Sequence, residues 1–211
     1  MKAEQRITRA RIQLQRANPF WAYLSLYLKF HEIEKGKMLC DTMGVDIEGN
    51  VYYVGEFVDK LTDKELEFVI AHELGHLLYL TALRQGSRNK EGFNVASDIA
   101  INSLLQRNGF TLIKDVCVPN HEDKFETGLK PIEKCSEKTS EQIYDELPKI
   151  TIKNGYYVLS QKGGIQDKKL GKVMDEYIIG NGESNGEGKD GKKKEGIGRK
   201  LTPNEKREIE K

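Results

Sequence analysis

Cysteine is scarce in this chain, with only Cys40, Cys117 and Cys135 among 211 residues and no C-x-x-C pair. An odd count without framework spacing argues against a disulfide scaffold and against a zinc ribbon. An excess of one charge sign is also missing: 34 Lys and Arg face 33 Asp and Glu, a formal net charge of +1. Without a global basic field, nucleic acid is not an expected partner. Long hydrophobic runs are absent too. The most apolar stretch, residues 69–83, is interrupted by His72, Glu73 and His76 and is too short to span a bilayer, so no membrane role is expected. The opening Met1-Lys2-Ala3-Glu4-Gln5-Arg6 is charged and is not followed by an apolar signal-like segment. The expected setting is the reducing cytoplasm.

Apolar residues make up only 37% of the chain and charged ones 32%, so either the core is small or part of the chain lies outside it. Composition favours the second. Residues 180–211 contain no aromatic, and their larger apolar side chains are Ile197, Leu201 and Ile209. Such a Gly/Lys/Glu-rich segment cannot bury enough apolar area to offset its conformational entropy, so a disordered tail is expected there, open to a partner protein. Thr202-Pro203 could start a short helix within it. Residues 1–179 read as one domain, with N-terminal helices over 3–34 and a motif core over 35–148.

Ile7, Ala10, Leu14 and Ala17 form an apolar stripe at helical spacing over residues 3–17, with Arg6, Arg9, Arg11 and Arg16 elsewhere on the helix. Asn18-Pro19 ends it, and Leu24, Tyr27 and Leu28 predict a second helix over 20–33. Residues 38–45 and 51–54, separated by Glu48-Gly49-Asn50, read as a hairpin. Thr62-Asp63-Lys64-Glu65 is a capping box that opens a helix to about residue 83. That helix carries Leu66, Phe68, Val69, Ile70, Leu74, Leu77 and Leu78 and is apolar on nearly every face. A second buried helix is expected over 91–106, a short one over 140–147 and a last strand over 156–159.

A helix apolar all round is buried, so polar groups inside it need an explanation. The interruption reads His72-Glu73-Leu74-Gly75-His76. Two histidines at i and i+4 stand one above the other on a helix face, and both imidazoles can reach one ion. Glu73 is offset from that face and can take a proton from a metal-activated water, then pass it to a leaving amine. Zinc suits neutral imidazole and needs no redox chemistry, so one Zn2+ per chain is expected. The motif is H-E-x-x-H, in the buried-helix context it requires.

Two imidazoles leave such a site short of a third protein ligand. Asn94, Asp98 and Asn102 recur every fourth residue as a polar stripe on the next buried helix. A buried carboxylate needs a cation, and an ion on His72 and His76 makes Asp98 the expected third ligand. The alternative is that Asp98 orients a ligand histidine, or pairs with Arg84 or Arg88. Asn94 and Asn102 are expected around the ligands. Tyr79, Arg84 and Arg88 are candidates for oxyanion or substrate contacts.

His72 to His76, followed by Asn94-x-Ala96-x-Asp98-x-x-Ile101-Asn102, resembles the metallopeptidase domain found N-terminal to von Willebrand factor A-like domains in bacterial and phage proteins. Val51-Tyr52-Tyr53 and Ser140-x-x-Ile143-Tyr144-x-x-Leu147 are similar to that family as well. The resemblance spans roughly residues 35–148. It implies an α+β zincin-like domain, with a small antiparallel sheet on a buried active-site helix and a sheet edge that receives an extended peptide. On this reading Val51, Tyr52, Tyr53 and Val54 lie near the substrate edge. Alignment to zincins with a glutamate third ligand would instead put Asn94 in the ligand place and Asp98 behind it. The implied activity is zinc-dependent hydrolysis of peptide bonds with Glu73 as general base. A zinc-binding interaction module of the same fold, without hydrolysis, is the alternative.

Overall fold

The computed structural model describes residues 1–38, 41–159 and 168–173, and the backbone of 183–187 and 193–195. The fold mixes helix and sheet. Its residues group into two compact units, Met1–Gly86 with Asp175–Lys211, and Ser87–Met174.

In the first unit, α1 (Ala3–Ala17) buries Ala3, Ile7, Ala10 and Leu14, the stripe expected from spacing, with Ala3 in place of the exposed Ala17. Arg6 fastens this helix: its guanidinium donates to the carbonyls of Val58 (2.7 Å) and Leu61 and reaches the Asp63 carboxylate. The next helix is shorter than its pattern suggests. α2 covers Pro19–Ser25, and Lys29–Ile33 is strand β1. Tyr27 is 65% exposed, so its place on the helical stripe carries no burial. The Lys29 N–H instead donates to the Gly49 carbonyl at 2.9 Å and starts a sheet.

That sheet has the order β1-β3-β2, with β2 (Met43–Val45) antiparallel to β3 (Asn50–Val54) and β1 parallel to it. The predicted hairpin is present, starting at Met43 rather than 38. Its turn is built on Asp46, whose carboxylate accepts the Glu48 and Asn50 N–H groups at 2.9 Å each and the Asn50 amide at 2.8 Å. Gly49 takes φ +79°, a left-handed position where a side chain would be strained. Residues 51–54 are thus the central strand and have hydrogen-bonded neighbours on both sides. This corrects their expected place beside a substrate edge: the edges of this sheet are β1 and β2.

After α3 (Gly55–Lys60) comes α4 (Asp63–Leu78). Its capping box is formed as predicted, with Thr62 N–H on the Glu65 carboxylate at 2.8 Å and Glu65 N–H on the Thr62 hydroxyl at 3.3 Å. The helix packs against α1, α2 and β2 and is buried from Leu66 to His76. It stops five residues earlier than expected. Leu80 turns left-handed (φ 52°) and a new short helix, α5 (Thr81–Arg84), begins.

The second unit is built on α6 (Lys90–Arg107), within a residue of its expected bounds and capped by the Asn89 side chain on the Gly92 N–H at 2.8 Å. A short ladder joins β4 (Lys124–Phe125) to β5 (Ile132–Glu133). α7 (Ser140–Glu146) starts in a second capping box, Thr139 with Gln142. It packs on α6 where Gly92 leaves room, since a Cβ there would lie 3.0 Å from the Tyr144 ring. An antiparallel sheet, β6 (Ile150–Lys153), β7 (Tyr156–Leu159) and β8 (Lys168–Lys172), completes the unit. Phe93, Ile99, Ile101, Leu105, Ile143 and Tyr157 are buried in its core.

Within the Gly/Lys/Glu-rich segment, β9 (Glu183–Glu187) and β10 (Lys193–Glu195) pair antiparallel. The rest of the expected tail, including the helix expected from residue 202, lies outside the described residues.

Candidate metal centre

α4 reaches the motif after two buried turns, so His72, Glu73 and His76 are inside the protein: the first two are 0% exposed and His76 is 3% exposed. One helical turn apart, the two rings approach edge to face with centroids 4.8 Å apart, and their Nε2 atoms are 3.1 Å apart. Two nitrogens each about 2.1 Å from one tetrahedral zinc would stand roughly 3.4 Å apart, so the pair already has nearly that spacing. The Phe68 ring, one turn earlier, lies against His72 at 5.9 Å.

The other nitrogen of His76 is engaged. Its Nδ1 is hydrogen-bonded to Thr81 Oγ1 at 3.1 Å, a buried contact between a helix residue and the segment beyond the left-handed turn. With a proton on Nδ1 given to the threonine oxygen, the Nε2 lone pair is left for an ion. Sequence spacing missed Thr81 because the helix was expected to run through it. Leu80 carries no glycine signal for the turn that brings the hydroxyl back.

Asp98 lies in the middle of α6 and is 2% exposed. His72, His76 and Asp98 are each buried, and each offers an atom that could hold a metal. Two neutral imidazoles and one carboxylate are a donor set that divalent transition metals accept, and the residues present fit such an ion.

The flanking amides of the stripe are buried, Asn94 at 5% and Asn102 at 1% exposed. The Asn94 amide donates to the Tyr157 hydroxyl at 2.6 Å, and that of Asn102 to the Cys117 carbonyl at 2.9 Å. These bonds tie α6 to β7 and to the loop that follows α6. Tyr79 closes α4, its N–H on the Gly75 carbonyl at 2.8 Å, and Arg84 donates to the Tyr79 carbonyl at 3.1 Å. The Arg88 guanidinium lies over the Phe93 and Tyr144 rings, 5.6 and 5.9 Å from their centroids. Among the described residues no helix is long and apolar enough to cross a membrane.

Compared with known proteins, residues 2–209 match the model of one family, described as "Putative metallopeptidase domain". The match extends beyond the motif core to α1 and α2 and into the C-terminal segment. No curated protein and no solved structure matches the chain.

Proposed function

The chain belongs to this metallopeptidase domain family, and from that premise we propose that it is a zinc-dependent peptidase of the H-E-x-x-H type with a zincin-like arrangement. The observation that carries the reading is the buried pair His72 and His76, their Nε2 atoms 3.1 Å apart with Glu73 between them in sequence, together with a buried carboxylate, Asp98, on α6. Zinc is preferred because peptide hydrolysis calls for a Lewis acid without redox chemistry. When bound, such an ion polarises a carbonyl and makes water acidic enough to ionise near neutral pH.

The chain's own residues do the rest. His72 and His76 offer Nε2, and Asp98 offers the carboxylate that brings a divalent site closer to neutrality. Glu73, next to His72 in sequence but about 100° around the helix, removes a proton from water and returns it to the leaving amine. An extended peptide needs a sheet edge, which the central β3 cannot supply; of the two edge strands β1 is the exposed one, and β2 is buried throughout. Asn94 at the ligand place is the competing assignment, and metal analysis separates the two. Zinc should be present at one per chain in the wild type, be lost in Asp98→Ala and be kept in Asn94→Ala. Glu73→Gln should keep zinc and lose turnover; hydrolysis at the wild-type rate by that variant would sink the mechanism.

A second reading, a zinc-holding interaction module without hydrolysis, has one observation in its favour. His72, Glu73, His76 and Asp98 are each at most 3% exposed, whereas catalysis needs a position open to substrate. Bound zinc with no cleavage of any peptide would establish it.

A further inference from the structure

The turn that follows β2 and the chain leaving α4 enclose a pocket of about 40 Å3, with His76 in its lining. Besides His76, two polar residues line it, Asp46 and Thr81, and both have structural partners. The Asp46 carboxylate holds the β2–β3 turn through three hydrogen bonds, and the Thr81 hydroxyl is bonded to His76. What remains to face a ligand is hydrocarbon, from Val45, Ile47, Leu77, Leu80, Ala82 and Leu83. Leu80 and Leu83 are 53% and 40% exposed, so the pocket borders solvent.

We propose that this pocket is the specificity subsite of the peptidase, receiving an aliphatic side chain of the peptide next to the bond that is cut. The proposal rests on the peptidase reading above. Three features support it. The pocket shares a wall with His76, a proposed metal ligand, so its occupant lies beside the reacting group. It adjoins Val45, the last residue of β2, so its apolar wall continues into the sheet that lies on α4. Its size fits. A single water needs about 10–15 Å3, so the space holds a small aliphatic side chain such as valine or leucine. A glutamate side chain would be desolvated there beside the Asp46 carboxylate without compensation.

Two readouts on the full chain test it. Cleavage of a mixed peptide library by the zinc-loaded protein, mapped by mass spectrometry, should favour leucine or valine over glycine at one fixed position, by about tenfold or more. Ala82→Phe, which fills the pocket, and Ile47→Asp, which charges it, should each reduce that preference below about twofold. Thermal melts establish that both variants are folded, and either one suffices. Independently of cleavage, N-acetyl-leucinamide should shift the methyl resonances of Ile47 and Leu83 saturably, while N-acetyl-glycinamide should not. Shifts without any cleavage would overturn the peptidase reading and the subsite role together, leaving a bare apolar binding pocket. Cleavage with no positional preference, or with one that both variants retain, would overturn the subsite and leave the peptidase intact.

Discussion

At the scale of single residues, Thr81 holds a metal-ligand candidate from outside the motif. Its hydroxyl, 3.1 Å from His76 Nδ1, holds the ring's rotation and can accept the Nδ1 proton, a kind of contact whose loss typically lowers metal affinity by about 10–100-fold. Thr81→Val should therefore weaken zinc binding by about that factor in a competition with a chelator, and Thr81→Ser should restore most of it. Equal affinity in all three proteins would show that the contact is only packing. Cys135 makes a different prediction. Burial, reinforced by the negative charge of Asp123, pushes its thiol up to about 11, and the S–H donates to the Ile132 carbonyl at 3.2 Å. Because the folded value lies above the ordinary one, the unfolded chain loses this proton first as pH rises. The stabilisation is whole below about pH 9 and is lost between there and about 11. The urea midpoint of the wild type should thus fall more steeply over that window than that of Cys135→Ala.

At the scale of elements, the reciprocal cap at Thr62 and Glu65 fixes where α4 begins, and with it the phase of His72 and His76. Thr62→Ala should cost about 1 kcal/mol, read as a lowered denaturant midpoint with an unchanged slope. What was legible in the sequence follows the same local logic. α1, the hairpin, α4, α6 and α7 each announce themselves by a cap or by apolar period. Asp98 stood out because a carboxylate on so apolar a helix demands a reason. The misreadings came where the deciding partner is remote or unmarked. Residues 29–33 are strand because β3 lies alongside them, a pairing that helical spacing at Leu24, Tyr27 and Leu28 cannot reveal. The end of α4 depends on a left-handed leucine with neither glycine nor proline to signal it, so Thr81 was not anticipated. Val51–Val54 was correctly a strand, but sheet order, invisible to pattern, made it central.

At the scale of the whole molecule, an ion that binds only the folded chain stabilises it by mass action. Zinc at about a hundred times its dissociation constant should add roughly 2.7 kcal/mol, which for a chain of this size raises Tm by about 5–10 °C over the chelated protein. Calorimetry with zinc and with a chelator checks this, and Asp98→Ala should show no such difference.

The sheet order β1-β3-β2 also sets a sequence of events in folding. The hairpin closes across the short turn of residues 46–49, a local step on the microsecond scale, whereas β1 must close a longer loop to reach β3 and is expected to dock later. Lys29–Ile33 is therefore the late arrival. A weakening substitution there, such as Ile33→Ala, should speed unfolding and leave the folding rate nearly unchanged.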